Sequence, residues 1–125
     1  MAIDQLDRSP TGRKLRDALR EACGRLPEVD EVMDGFGHTT FKVRKRSFVI
    51  AGMGEDGTSV SVKSEPATQA FLVRHGPWYR TPYIGHHGWV TLDDPLDAEW
   101  EDVVEIIEDG WRLAAPKRLR DTLSP

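Results

Sequence analysis

The spacing of apolar residues predicts a helix near the start of the chain. Ser9 is a favourable N-cap residue, Pro10 suits the first helical position, and Gly24 marks the end of the segment. Between these signals the apolar residues recur every three or four positions: Leu15, Ala18, Leu19, Ala22 and Cys23. Such a stripe predicts one buried helix face, and places Cys23 as a buried structural thiol.

From residue 28 to residue 63 apolar and polar positions tend to alternate, as in half-buried strands. The apolar positions are Val29, Val32, Met33, Phe41, Val43, Phe48, Ile50, Val60 and Val62. Glycines at 52, 54 and 57 mark a reversal before the last of these strands. The connections are too short for parallel crossovers, so the segment predicts an antiparallel meander.

The second half of the chain predicts two further helices around an aromatic segment. A short helix is expected from Glu65 and Pro66 to about His75, with Phe71 and Leu72 facing inward. The segment 76–91, GPWYRTPYIGHHGWVT, follows, and we expect a short strand at 78–79 and the sheet's next strand at 88–92.

Asp97 is then expected to cap the clearest helix of the protein. One stripe of this helix is apolar and predicts a face packed on the sheet: Trp100, Val103, Val104, Ile107 and Trp111. Gly110 weakens the helix near its end, and Pro116 opens another short helix.

Length and composition fit one domain over residues 1–125, with residues 1–8 polar and frayed. Apolar residues make up 38% and charged residues 30% of the chain, and no apolar run approaches the ~20 residues of a membrane helix. The N-terminus lacks the apolar region of a secretory signal. Cys23 is the only cysteine, which suits a reducing compartment. We therefore expect a cytoplasmic protein without a membrane partner.

Charge is distributed unevenly, although the net charge is only −4. The segment 93–109 holds nine acids and no base, which leaves 12 acids against all 17 bases elsewhere. Four cations cluster at one predicted hairpin tip: Lys42, Arg44, Lys45 and Arg46. This basic wing could grip phosphates through counterion release, or it could protect a sheet edge from aggregation.

Motifs of known catalytic chemistry are absent from the sequence. There is no Walker loop, no GxGxxG after a strand, no GxSxG and no paired CxxC. The four histidines, His38, His75, His86 and His87, lack the HxH or HExxH spacing of metal ligands, and His86 and His87 would point to opposite sides of an extended chain. We expect no enzymatic activity, no cofactor and no dedicated metal site.

Two alternative functions remain open at this stage. The rings of the segment 76–91 could form a pocket for a small ligand or a protein partner: Trp78, Tyr79, Tyr83, His86 and Trp89. The carboxylates of the acidic helix could bind hard cations weakly: Asp97, Glu101, Glu105 and Glu108. An exposed helix face in contact with solvent would explain the same acidic residues without any bound cation.

An ordered series of segments runs through nearly the whole chain: GHTTFKVRKRSFVIAGM, SVSVKSEP, PYIGHHGWVTL and WRLAAPKRL. With its N-terminal and acidic helices, the chain resembles the MmcQ/YjbR family over about residues 12–123. The resemblance implies an α+β fold of the frataxin-like type, a twisted antiparallel sheet with helices packed on one side. Members of this bacterial family are commonly described as DNA-binding proteins with a double-wing arrangement.

The resemblance implies a set of nucleic-acid-binding residues: Lys42, Arg44, Lys45, Arg46, Arg80, Lys117 and Arg118. These cations would hold a phosphate backbone, so that binding to DNA or another phosphate-rich partner is expected to be weak, salt-dependent and largely independent of sequence. The chain departs from the family pattern in two places. Many members have glycine where this chain has Arg44 and Lys45, which suggests a longer or differently shaped wing, and serine or alanine where it has Gly110.

Overall fold

The computed structural model describes residues 3–54 and 56–123, which form four α-helices and one six-stranded sheet. The helices are α1 (Pro10–Gly24), α2 (Pro66–His75), α3 (Trp100–Ala114) and α4 (Lys117–Leu123). The strands are β1 (Val29–Met33), β2 (Thr39–Val43), β3 (Arg46–Gly54), β4 (Gly57–Val62), β5 (Tyr79–Arg80) and β6 (Val90–Asp93). None of the described helices is long and apolar enough to cross a membrane.

The sheet is antiparallel throughout, with the strand order β1-β2-β3-β4-β6-β5. The first four strands form the meander that the alternation predicts. β6 returns beside β4, where Val62 pairs with Val90, and β5 closes the far edge. The chain therefore places the aromatic segment at one edge of the sheet and the N-terminal strand β1 at the other.

One face of the sheet packs against the helices and forms the hydrophobic core. α1 contributes Leu15 and Leu19, and α3 contributes Ile107 and Trp111, all of which are fully buried. Ser9 accepts a hydrogen bond from the Gly12 amide and caps α1 as predicted. The α+β architecture with helices on one side of an antiparallel sheet is confirmed.

A β-bulge changes the faces predicted for β3. The register shifts between Phe41 and Lys42 of β2, so that Phe41 pairs with Val49 while Lys42 pairs with Ser47. Phe48 is the extra residue, and both Phe48 and Val49 are fully buried. The prediction that Phe48 and Ile50 share one face is wrong, because a bulge breaks the alternation that the prediction assumed.

The N-terminal segment is more ordered than its polar sequence predicts. Gln5–Arg8 form a short 3-10 helix, and Leu6 is fully buried in the core. The Gln5 side chain bonds the amide of Met53 and the carbonyl of Phe36, which fastens this segment to the sheet. The prediction that the N-terminus is frayed is therefore wrong for residues 3–8, whereas residues 1 and 2 lie outside the described part of the chain.

Two predictions for the helices fail at particular residues. Phe71 is 61% exposed instead of facing inward. The residue of α2 that faces the protein is Gln69, whose side-chain amide donates to the carbonyls of Gly85 and Trp89. Asp97 does not cap α3. It ends a separate 3-10 helix at Pro95–Asp97, and Glu99 occupies the N-cap position.

Candidate nucleic-acid interface

The basic wing is a tight hairpin between β2 and β3. Val43 pairs with Arg46, so that only Arg44 and Lys45 form the turn. Both turn residues have positive φ, 48° and 69°, as a type I′ turn requires. The wing is therefore not longer than a glycine-containing turn, and two cationic side chains occupy backbone positions that favour glycine.

Arg44 is held by a carboxylate across the end of the sheet. Its Nε and Nη2 donate to the two carboxyl oxygens of Glu28 at 2.7 and 2.9 Å. The hydrogen bond from Arg44 lowers the pKa of Glu28, and the same bond raises the pKa of Arg44. Arg44 thus fixes the wing against the start of β1, and its charge is partly balanced.

The neighbouring cations carry no such counter-charge. Lys45 and Arg46 are exposed, and neither forms an ion pair within the described residues. Lys42 is half-buried beside them and pairs in register with Asp30 of β1 and Ser47 of β3. The freely available positive charge of the wing therefore lies at Lys45 and Arg46.

The C-terminal helix lies at the same end of the sheet as the wing. Trp111 of α3 donates from Nε1 to the Pro27 carbonyl at 3.0 Å, one residue before Glu28. A Cβ on Gly110 would stand 2.9 Å from the Lys63 carbonyl oxygen, at the end of β4. α3 therefore ends at the wing end of the sheet, and α4 starts there three residues later.

Lys117 and Arg118 of α4 are both exposed. Lys117 donates to Asp121 at 2.8 Å, one turn along the same helix, whereas Arg118 has no ion pair in the described chain. These two cations and the wing belong to one end of the molecule. α4 adds a second set of charges without belonging to the hairpin.

The opposite end of the sheet carries several carboxylates, together with the cations of the first turns of α1. The β3–β4 turn, where Gly54 pairs with Gly57, lies beside Asp93 and Asp94, and the Asp94 amide bonds the Thr58 carbonyl. α3 begins at this end with Glu101 and Asp102 in its first turn. The acidic segment thus starts at this end and runs along α3 to the wing end, where Glu108 and Asp109 precede Gly110, so the two ends are not divided by the sign of their charges.

Arg80 does not join the wing. It lies on β5, three strand spacings from β3, which is about 14 Å. It is exposed, and its side chain runs against Gly85, where a Cβ would overlap it. The structure therefore separates Arg80 from the cations with which the sequence grouped it.

The aromatic segment does not bring its rings into one pocket. Trp78 and Trp89 are buried, at 7% and 6% exposure, whereas Tyr83 is 96% exposed and adopts a positive φ of 68°. His86 is exposed on a 3-10 helix, and its ring centroid lies 3.9 Å from that of His87 with the two ring planes tilted by 43°. Because this turn is helical, the two rings lie together instead of pointing apart.

Tyr79 has a local structural partner. Its hydroxyl donates to Asp93 Oδ1 at 2.7 Å across the β5–β6 pair. Partial burial, and then the bond to Asp93, raise the pKa of Tyr79 to about 12. Tyr79 therefore stays a neutral donor at physiological pH.

The acidic residues of α3 line a groove instead of a metal cage. Glu101, Glu105 and Glu108 border a space of about 460 Å³ between α1 and α3, with Trp100 in its wall. Asp97 lies before the helix, on the separate 3-10 turn. No three His, Cys, Asp or Glu side chains in the described ranges are grouped as metal ligands would be.

A polar cavity that the sequence analysis did not predict lies near α4. It has a volume of about 440 Å³ between α2, α3 and α4, and its wall includes Ser64, Thr68, Arg112 and Arg120. These residues are distributed over 57 positions of the sequence, so no local motif could indicate them. Only the order of the elements in space brings them together.

The hairpin geometry yields a first prediction. Lys45→Gly is expected to stabilise the protein by about 0.5–1 kcal/mol, because relief of the strained turn outweighs the entropy that glycine adds to the unfolded chain. Lys45→Ala removes the same charge but retains the Cβ, so its free energy of unfolding is expected to stay within about 0.5 kcal/mol of the original. Urea denaturation of both variants checks this, and equal stability of the two would contradict it.

Comparison with known proteins supports the architecture. A family model described as YjbR matches residues 24–113. The chain is similar to Deinococcus radiodurans protein DR2400, a protein with a DUF419 domain, whose crystal structure superposes with a TM-score of 0.71 at 23% identity and 86% coverage of each chain. No curated protein matches the sequence. The matched segment includes the wing, the sheet and most of α3, and the chain therefore belongs to the YjbR family.

Proposed function

We propose that the protein binds nucleic acid through the phosphate backbone, with the wing end of the sheet as its contact surface. The observation that carries the proposal is the pair Lys45 and Arg46, which are exposed and unpaired on a two-residue turn. A rigid turn loses little conformational entropy when its side chains meet phosphates. The proposed role is binding and not catalysis.

The charge distribution favours this surface over the others. The wing concentrates its cations on one two-residue turn, and cations that contact phosphates release counterions. Lys117 and Arg118 extend the contact from the hairpin to α4. Because contacts to the phosphate backbone carry no sequence information, we propose binding that depends on salt and little on sequence.

The backbone of the wing end is strained. Glu28, Arg44 and Lys45 all have positive φ, and Glu28 is the residue that holds Arg44. Non-glycine residues in this region carry strain of about 1–3 kcal/mol each, and such strain concentrates at functional sites. Replacing the turn with glycine would relax the backbone, but it would remove one of the projecting cations.

The decisive experiment measures DNA binding by fluorescence anisotropy at two salt concentrations. We expect Lys45→Ala combined with Arg46→Ala to weaken binding to a short duplex about tenfold at low salt. The slope of log affinity against log salt should fall by about 2, since two phosphate contacts are lost.

A charge-matched control tests whether position matters. Arg13→Ala combined with Lys14→Ala removes two exposed cations from the first turns of α1, at the end of the sheet opposite the wing. This control is expected to change the affinity less than about twofold. Equal losses in the two double variants, or binding by the unaltered protein without a salt slope, would refute the proposed surface.

A further inference from the structure

The cavity between α2, α3 and α4 has the groups of an anion site. Ser64 lies two residues before the start of α2, Thr68 lies in its first turn, and the guanidinium groups of Arg112 and Arg120 come from α3 and α4. We propose that this cavity binds a terminal phosphate group, either inorganic phosphate or a phosphate monoester. The site is separate from the wing and does not depend on nucleic-acid binding there.

The hydroxyl of Ser64 is the first observation that points to a ligand. Ser64 is only 6% exposed, and its side chain makes no hydrogen bond within the described residues, although the residue lines the cavity. Its oxygen is not fully enclosed but opens on the cavity, where no group of the described residues exchanges a hydrogen bond with it. An anion oxygen in the cavity would satisfy it.

The start of α2 supplies further donors. Pro66 has no amide hydrogen, and Glu65, at the N-cap, makes no side-chain capping bond. The amides of Ala67 and Thr68 are therefore the free donors of the first turn, and the helix dipole favours negative charge there. The backbone before them is immobilised, because Gly88 packs directly against the Ser64 carbonyl.

Each of the two arginines is held in place by one hydrogen bond and has most of its N–H donors free. Arg120 donates from Nη1 to the Arg112 carbonyl at 3.3 Å, which ties α4 to the end of α3. Arg112 donates from Nη1 to Asp109 at 3.2 Å. A guanidinium group has five N–H donors, so each arginine retains donors for a phosphate oxygen. Both side chains are half-buried, which strengthens such a bond relative to one at an exposed surface.

The anion class follows from the donors and from the opposing charges. A terminal phosphate offers three acceptor oxygens and close to two negative charges, which suits two arginines, two hydroxyls and two amides. Glu65 and Asp109 oppose the anion, and of these Asp109 is already bonded to Arg112. Glu65 is exposed at the rim and is the group that limits affinity.

The test is a titration of the full chain with inorganic phosphate, followed by amide NMR. We expect saturable shifts at Ser64, Ala67 and Thr68. Arg120→Gln should weaken binding at least about tenfold, whereas Arg118→Gln, with the same change of charge on the same helix, should change it less than about twofold. Equal effects of the two variants, or shifts that do not saturate, would overturn the proposal.

Two further variants keep the test valid if Arg120→Gln fails to fold. Thr68→Val, which preserves shape, should weaken binding severalfold, and Glu65→Gln should strengthen it, because a repelling carboxylate is removed. A purely structural role for these residues predicts no gain from Glu65→Gln, so an unchanged affinity in both variants would reject the site. The wing variants at Lys45 and Arg46 should bind phosphate as the original does, which separates this result from the DNA test.

Competition distinguishes the two sources of the phosphate. If a 5′-phosphorylated oligonucleotide displaces inorganic phosphate and the same strand with a 5′-hydroxyl does not, the site recognises nucleic-acid ends. If phosphate binds and neither strand displaces it, the ligand is a small phosphate compound. Displacement by both strands alike would contradict recognition of a terminal phosphate.

Discussion

Trp111→Ala is expected to lower the free energy of unfolding by about 4 kcal/mol. The indole is fully buried between α3 and the sheet, so its removal forfeits the burial of the ring and leaves a cavity. It also removes the hydrogen bond from Nε1 to the Pro27 carbonyl, 84 residues away in the sequence. Urea denaturation followed by far-ultraviolet circular dichroism measures the loss.

Two companion variants identify the origin of that effect. Trp111→Phe keeps most of the ring but removes the donor, and we expect a loss of about 2 kcal/mol. Trp100→Ala makes the same truncation on the same helix at a half-buried position and should have a smaller effect than Trp111→Ala. Similar losses for Trp100→Ala and Trp111→Ala would show that burial of Trp111 is not the cause.

The helices were the most predictable part of the fold. Ser9 and Pro10 define the start of α1, and the stripe through Ile107 and Trp111 defines the buried face of α3, because both signals are local in sequence. The bulge at Phe48 was not predictable, since alternation describes one strand and the bulge depends on how two strands pair. The order of β4, β6 and β5 likewise depends on contacts between distant segments.

The candidate site also combines features that are local in the sequence, and therefore predictable, with features that depend on distant contacts. The cations of the wing are adjacent in the sequence, and a two-residue turn displays Lys45 and Arg46 together. The pairing of Arg44 with Glu28 joins residues that are 16 positions apart, and the sequence gives no sign of it. Charge composition can indicate where a binding surface begins, whereas the availability of each charge depends on tertiary partners.

The wing end and the phosphate cavity are also related through α4. This helix carries Arg118 on its exposed surface and Arg120 toward the cavity. The Arg120 side chain bonds the Arg112 carbonyl and joins α4 to α3, so residues of the two proposed sites lie on one short helix. The wing is held separately, by the bond between Arg44 and Glu28.

Gly110→Ala is expected to destabilise the protein by about 2 kcal/mol, although alanine is the better helix former by about 1 kcal/mol. A Cβ at this position would stand 2.9 Å from the Lys63 carbonyl oxygen and 3.0 Å from Val62 Cγ1. Backbone atoms of β4 cannot easily move away, since the Lys63 amide is bonded to the Phe48 carbonyl at 3.0 Å. Close packing of α3 on the sheet thus explains glycine here.

Gly24→Ala is the matched control, because Gly24 also lies within a helix and a Cβ there would meet no atom within 4 Å. Without a packing penalty only helix propensity remains, so we expect a gain of about 0.5 kcal/mol at this last helical position. Urea denaturation of the two variants should give shifts of opposite sign. If Gly110→Ala were as stabilising as Gly24→Ala, the expected clash with the Lys63 carbonyl would be absent. That result would contradict the close packing of α3 against the end of β4, and with it the packing of α3 at the wing end.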